Sequence, residues 1–173
     1  MVNKQMNQDD SDKFYMDKAI VQAKLALDEG LLPVGAVIVA DGKIIAQSRK
    51  KKGVHTYLDH AETMAMRTAF ENSTDGPMVT IYSTLEPCLM CFSTILNSRK
   101  VERIVYAVSD PYGGGTSLPR EVLTPRYLEW WPIIIGKVQE KKALSLFRKF
   151  FTATQDPYWQ NPENELRKIC MKQ

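Results

Sequence analysis

Cysteine is scarce in this chain, three residues in 173, and histidine scarcer still at two. An odd, small number of thiols fits a disulfide framework poorly. Long apolar runs are missing too. The longest, LLPVGAVIVA at 31–40, is far too short to span a bilayer, and the N-terminal MVNKQMNQDDSDK lacks the apolar h-region of a secretory signal. These features predict a soluble, cytoplasmic protein with no membrane partner. In a reducing compartment a close cysteine pair reads as a metal or redox site. Internal repeats and low-complexity tracts are absent, and no convincing linker precedes residue 152 or so. One domain over 1–173 is predicted, with a core at about 14–151 and a C-terminal extension at 152–173 that acts as a lid or a subunit contact. Net charge is low at +3, too small to imply nucleic acid unless it is concentrated. It is concentrated once, at RKKKG, Arg49 to Gly53.

The hydrophobic period alternates between helix and strand. Met16, Ala19, Ile20, Ala23 and Leu27 make a helical stripe that stops at Gly30, a favoured residue just past a helix end. VGAVIVA reads as a strand, Asp41-Gly42 as a hairpin turn, and KIIAQS as its antiparallel return. A second helix carries the stripe Ala61, Met64, Ala65 and Thr68 and ends at the polar cluster ENSTDGP; the strand MVTIYS follows. Pro87 reads as a first-turn proline, and Cys88, Cys91, Phe92 and Ile95 keep helical spacing behind it. Then come the strand VERIVYAV, a flexible loop DPYGGGTSLP, a last strand PIIIGKV and a long helix striped by Ala143, Leu146, Phe147 and Phe150. Helix-linked strands after an initial hairpin predict an α/β domain, a mixed five-stranded sheet in a three-layer α/β/α arrangement.

The cysteines Cys88 and Cys91 in TLEPCLMC lie one turn apart at a helix start, where the positive end of the dipole lowers thiol pKa values. Both thiolates can reach one ion. Zinc takes four ligands in most sites, and the chain offers only His55 and His60 as histidines. His60 opens the preceding helix as HAE, so the two helix starts fall at the same end of adjacent strands, where α/β sheets place ligands. Glu62 points to the kind of site: a catalytic zinc keeps one position open beside an acid–base group. Two alternatives stand beside that reading. One is a closed Cys2His2 site using His55 with Glu62 merely solvated, the other a metal-free CxxC redox pair. Cys170 reads as a free thiol.

HAE followed by TLEPCLMC resembles the zinc-dependent cytidine deaminase superfamily, within it the branch of tRNA adenosine deaminases and free-base cytosine and guanine deaminases. The resemblance runs from about Phe14 to Phe151. It implies zinc on His60, Cys88 and Cys91, and Glu62 as a base that accepts a proton from water, passes it to a ring nitrogen, and then acts as the acid that protonates departing ammonia. It also implies a homodimer or larger assembly, and contacts from backbone N–H groups at Ala61 and Cys88.

The substrate is expected to be a small aminated base or nucleoside, with tRNA adenosine as the alternative and a non-enzymatic zinc interaction module as the reading from another class. Relatives usually place a substrate-binding asparagine just after the second strand. This chain has no asparagine between Asn7 and Asn72, and Arg49 or Lys50 falls there. The basic run Arg49–Lys52 is either an RNA phosphate contact or a solvated turn. In the C-terminal segment Asp156, Tyr158 and Trp159 either wall a small-molecule pocket or pack on the surface or a partner subunit. The candidate substrate contacts are therefore Lys50, Ala61, Asp110, Asp156 and Trp159.

Overall fold

The structure, a computed structural model, describes residues 7–53, 57–71 and 76–172. Helix α1, Gln8–Asp28, starts earlier than its apolar stripe suggested, because the Asn7 side chain caps it by accepting from the Asp10 N–H. Strands β1, Gly35–Ala40, and β2, Lys43–Arg49, pair antiparallel across a tight turn in which Asp41 and Gly42 both take positive φ, at 49° and 72°. That conformation is why Asp-Gly stands there. Helix α2 is Ala61–Phe70, β3 Val79–Leu85, α3 Leu89–Ser98 and β4 Val101–Val108. After a short 3-10 turn at Arg120–Val122 come α4, Pro125–Leu128, β5, Ile133–Ile135, α5, Glu140–Ala153, α6, Pro157–Gln160, and α7, Glu165–Met171.

Among the described residues the strands form one five-stranded sheet in the order β2-β1-β3-β4-β5. β1 runs antiparallel to both neighbours, while β3, β4 and β5 are parallel. Helices cover both faces, so the expected α/β architecture with a mixed sheet is present. β1 and β3 are buried along their whole lengths. No described helix is long and apolar enough to cross a membrane.

Four sequence expectations change in detail. Pro87 is not in the first turn of α3; Cys88 is the N-cap, in extended conformation, and Pro87 precedes it. In α2 the buried face is Ala61, Glu62, Ala65 and Met66, with Thr68 exposed. The stripe is rotated because a carboxylate, not an apolar side chain, is turned inward. DPYGGGTSLP is read as a flexible loop, and in the structure its residues 110–116 are tied by the hydrogen bonds described below. The last strand is only Ile133–Ile135.

The extension is also part of the packed body: Leu166 and Cys170 of α7 join the buried core against α5, and the Arg148 Nε–H donates to the Cys170 carbonyl at 2.9 Å.

Asp12, buried on α1, ties this helix to the sheet. Its carboxylate accepts from Tyr82 Oη on β3 at 2.8 Å and from Arg103 on β4 at 2.8 and 3.2 Å. Removing the carboxylate leaves a partly buried guanidinium and a buried phenol unpaired. Asp12→Ala is therefore expected to lower stability by about 3–5 kcal/mol, read as the shift of a urea midpoint; a change within error would show that water replaces the carboxylate there.

Candidate metal centre

Two helix starts bring the site together. At the first, His60 is the N-cap of α2 with extended φ and ψ of −80° and 159°. Its N–H donates to Thr63 Oγ1 at 3.1 Å, and the Thr63 hydroxyl donates to the Leu58 carbonyl at 2.8 Å, so the turn is closed around the histidine. At the second, β3 delivers the chain to Cys88, and Cys91 follows one turn into α3. Parallel pairing of β3 with β4 continues through the Glu86 N–H to the Val108 carbonyl at 2.8 Å.

His60 Nδ1 lies 3.4 Å from Cys88 Sγ and 3.5 Å from Cys91 Sγ, and the two sulfurs are 3.6 Å apart. A tetrahedral zinc with Zn–S of about 2.3 Å and Zn–N of about 2.0–2.1 Å requires edges of about 3.8 Å between sulfurs and about 3.6 Å between nitrogen and sulfur. The triangle fits zinc within a few tenths of an ångström. It is also the chemistry zinc selects, two thiolates and an imidazole. His60 and Cys88 are partly exposed and Cys91 is buried.

Hydrogen bonds within the triangle set its electrostatics. The bond from the Cys91 thiol and the His60 ring pull the Cys88 thiol down to about 4 against its burial. The same sulfur–sulfur bond, together with burial, pushes Cys91 up. The Cys88 thiolate in turn raises His60.

Glu62, only 4% exposed, stands beside the triangle. Ser83 Oγ donates to its Oε1 at 2.9 Å, while its Oε2 lies 3.7 Å from Cys91 Sγ. Burial raises the carboxyl pKa, and its backbone and Ser83 hydrogen bonds oppose the rise. One oxygen is thus held by the protein and the other faces the sulfurs, an arrangement suited to taking and returning a proton beside a metal.

Among the other candidates, Lys50 is half-buried just beyond β2, its N–H donating to the Val34 carbonyl at 2.9 Å. Burial lowers its pKa, and the acidic groups led by Glu62 and Asp59 partly oppose the fall. Ala61 is the buried first residue of α2. Asp110, past β4, folds its own loop, accepting from the Tyr112 and Gly113 N–H groups through Oδ1 at 3.1 and 2.9 Å. The Asp156 carboxylate caps α6 by accepting from the Tyr158 N–H at 2.9 Å. Trp159 stands edge-on to Phe150 and Phe151, ring centroids 6.0 Å away in each case. His55 lies outside the described residues.

Sequence reasoning passed over Ser83 and Glu86. A signal for the first existed: a hydroxyl in a strand buried along its whole length needs a partner.

A family described as the cytidine and deoxycytidylate deaminase zinc-binding region matches residues 9–108. The chain is 31% identical over 140 residues to the tRNA-specific adenosine deaminase of Agrobacterium fabrum strain C58, an alignment covering 79% of this chain and 91% of that protein. It is 32% identical over 143 residues to the tRNA-specific adenosine deaminase of Bacillus subtilis strain 168, covering 81% and 88%. A solved structure from a study of A-to-I editing by tRNA:A34 deaminases at the wobble position superposes with a TM-score of 0.68 at 30% identity, over 77% of this chain and 98% of that one.

Proposed function

This chain belongs to the zinc-binding cytidine and deoxycytidylate deaminase family and is a zinc-dependent hydrolytic deaminase; from that premise we propose that its substrate is adenosine in a tRNA loop, which it converts to inosine with Glu62 as the catalytic acid–base. The observation that carries the chemistry is the buried carboxylate beside a zinc-shaped His60–Cys88–Cys91 triangle.

His60, Cys88 and Cys91 would hold the metal. When bound, zinc supplies a Lewis acid that brings deprotonation of water close to neutral pH. Ser83 holds Oε1 of Glu62, leaving Oε2 to move protons. Glu62 accepts the proton of the attacking water and delivers it to the ring nitrogen next to the amino-bearing carbon. The oxygen added at that carbon then gives its remaining proton to the Glu62 carboxylate as the carbonyl forms, and Glu62 passes this second proton to the amine as the carbon–nitrogen bond breaks, so that it leaves as ammonia. Ala61, at the start of α2, and Lys50, half-buried just beyond β2, are the substrate contacts of this reading.

Three observations favour the RNA substrate over the small ring that the C-terminal aromatics suggested. Relatives matched over 91% and 88% of their lengths are named tRNA-specific adenosine deaminases. The basic run leads out of the site, Lys50 near Glu62 and Lys51 and Lys52 exposed beyond it. Asp156 and Trp159 are already engaged in capping α6 and packing on α5. A cytoplasmic homodimer completes the proposal on the family resemblance, and sedimentation measures the assembly.

Truncating the chain after Thr154 would strip Leu166 and Cys170 from the core, so point variants make the better test. Zinc-loaded protein is expected to form inosine in an anticodon stem-loop and to leave free bases and nucleosides unchanged. Exchanging Lys51 and Lys52 for alanine should raise KM and flatten the log–log salt dependence by about 0.7 for each phosphate that a lysine no longer neutralises. Ammonia release from a free base that falls in Asp156→Ala or Trp159→Ala, with no inosine in the RNA, would return the small-molecule reading.

A further inference from the structure

The chain contains a buried carboxylate outside the proton-transfer chemistry. Glu86 is 5% exposed and lies two residues before Cys88. Its Oε2 accepts from the Asp110 N–H at 2.9 Å and its Oε1 from the Thr116 hydroxyl at 2.5 Å, so one side chain grips both ends of the loop 110–116. The loop then grips the chain around the zinc ligand: the Gly115 N–H donates to the Pro87 carbonyl at 2.8 Å, and Gly114 bridges Cys88 in antiparallel fashion. There is no space for larger residues where these segments meet. A Cβ at Gly114 would overlap the Glu86 carboxyl carbon and lie 2.5 Å from the Asp110 carbonyl oxygen; one at Gly115 would lie 2.9 Å from both Leu89 Cα and Phe92 Cβ.

We propose that Glu86 is a positioning residue for the zinc ligand Cys88, acting through the loop 110–116. The two thiols are not seated alike. Cys91 is buried inside α3, where helix hydrogen bonds and packing fix it. Cys88 is the N-cap, at the helix end where backbone donors lack intrahelical partners and support comes from outside. For residues 86–88 that support is the Glu86 N–H on Val108, the Gly115 N–H on Pro87 and the Gly114 bridge. The last two belong to the loop that the Glu86 carboxylate holds. A carboxylate suits the task because it accepts from two donors at once, and charge-assisted bonds of this kind are about twice as strong as neutral ones. The inference rests on the reading of His60, Cys88 and Cys91 as zinc ligands.

Zinc release into excess chelator, followed with a chromogenic zinc reporter, tests it without any substrate. Glu86→Ala is expected to release zinc about tenfold to a hundredfold faster than the unaltered protein, the usual effect of removing a group that orients a metal ligand. Glu86→Gln should stay within about twofold, since its oxygen can accept from the Asp110 N–H while its amide donates to the Thr116 hydroxyl oxygen. Leu146→Ala, at a buried position of α5, controls for a general loss of stability and should release zinc at the unaltered rate. Should Glu86→Ala fail to fold, Thr116→Val removes only the hydroxyl donor and is expected to speed release several-fold. The proposal is overturned by an unaltered rate in Glu86→Ala or Thr116→Val, by equally fast release from Leu146→Ala, or by a glutamine variant as leaky as the alanine one. Failure of the underlying metal assignment shows separately in the same assay, as full zinc retention by His60→Ala.

Discussion

Replacing Glu62 by glutamine is expected to leave zinc in place and to slow deamination by at least roughly 10²-fold to 10⁴-fold, the usual contribution of a positioned general acid–base. Glutamine has nearly the same shape, and its oxygen can still accept the Ser83 hydroxyl that now holds Oε1 at 2.9 Å. The change falls on the other atom. Oε2, 3.7 Å from Cys91 Sγ, becomes an amide nitrogen that cannot take a proton from water or return one to a ring nitrogen. The three metal ligands are untouched, so elemental analysis should still find the zinc. Single-turnover rates on a stem-loop RNA, compared at equal zinc content, read the chemical step apart from binding. Unchanged turnover would remove Glu62 from the mechanism.

Local signals make much of this centre legible in the sequence itself. The apolar period and the Asp-Gly turn locate β1 and β2, and the positive φ at Asp41 and Gly42 is what those residue types supply. His60, Cys88 and Cys91 are legible because their side chains have few roles other than ligation at such spacing, and two helix starts meet at one end of the sheet. The phase of α2 is hidden for the opposite reason. A period count treats glutamate as an outward residue, whereas Glu62 turns inward because Ser83, from a different element, satisfies it. The loop 110–116 reads as flexible from its three consecutive glycines. Those at 114 and 115 serve close approach to Glu86, Leu89 and Phe92, a tertiary contact that composition does not reveal.

The extension carries its aromatics in a packed position. Tyr158 and Trp159 suggest pocket walls, yet Trp159 packs on Phe150 and Phe151, and the Arg167 guanidinium bonds the carbonyls of Phe151 and Trp159. An aromatic cluster seven or eight residues beyond a helical phenylalanine pair is as suited to covering that pair as to covering a ligand, and only the chain path distinguishes the two. Lys50 is the reverse case: the sequence shows an exposed-looking basic run, and the fold half-buries its first lysine while Lys51 and Lys52 stay exposed.

Wild-type protein is expected to carry about one zinc per chain, and His60→Ala to lose both the metal and all measurable deamination. Cys88 and Cys91 alone supply two ligand atoms 3.6 Å apart; without the imidazole, 3.4 and 3.5 Å from them, the triangle that matches tetrahedral zinc is gone. Cys170 is sequestered in the core against α5, and its replacement by alanine should leave the metal content unchanged. His55→Ala provides the decisive contrast. A catalytic centre takes three protein ligands and keeps its fourth position for the reaction, so this variant should hold zinc as the unaltered protein does. If elemental analysis instead finds it as empty as His60→Ala, then the chain closes a four-ligand structural site, no position remains for water, and Glu62 has no reaction to serve.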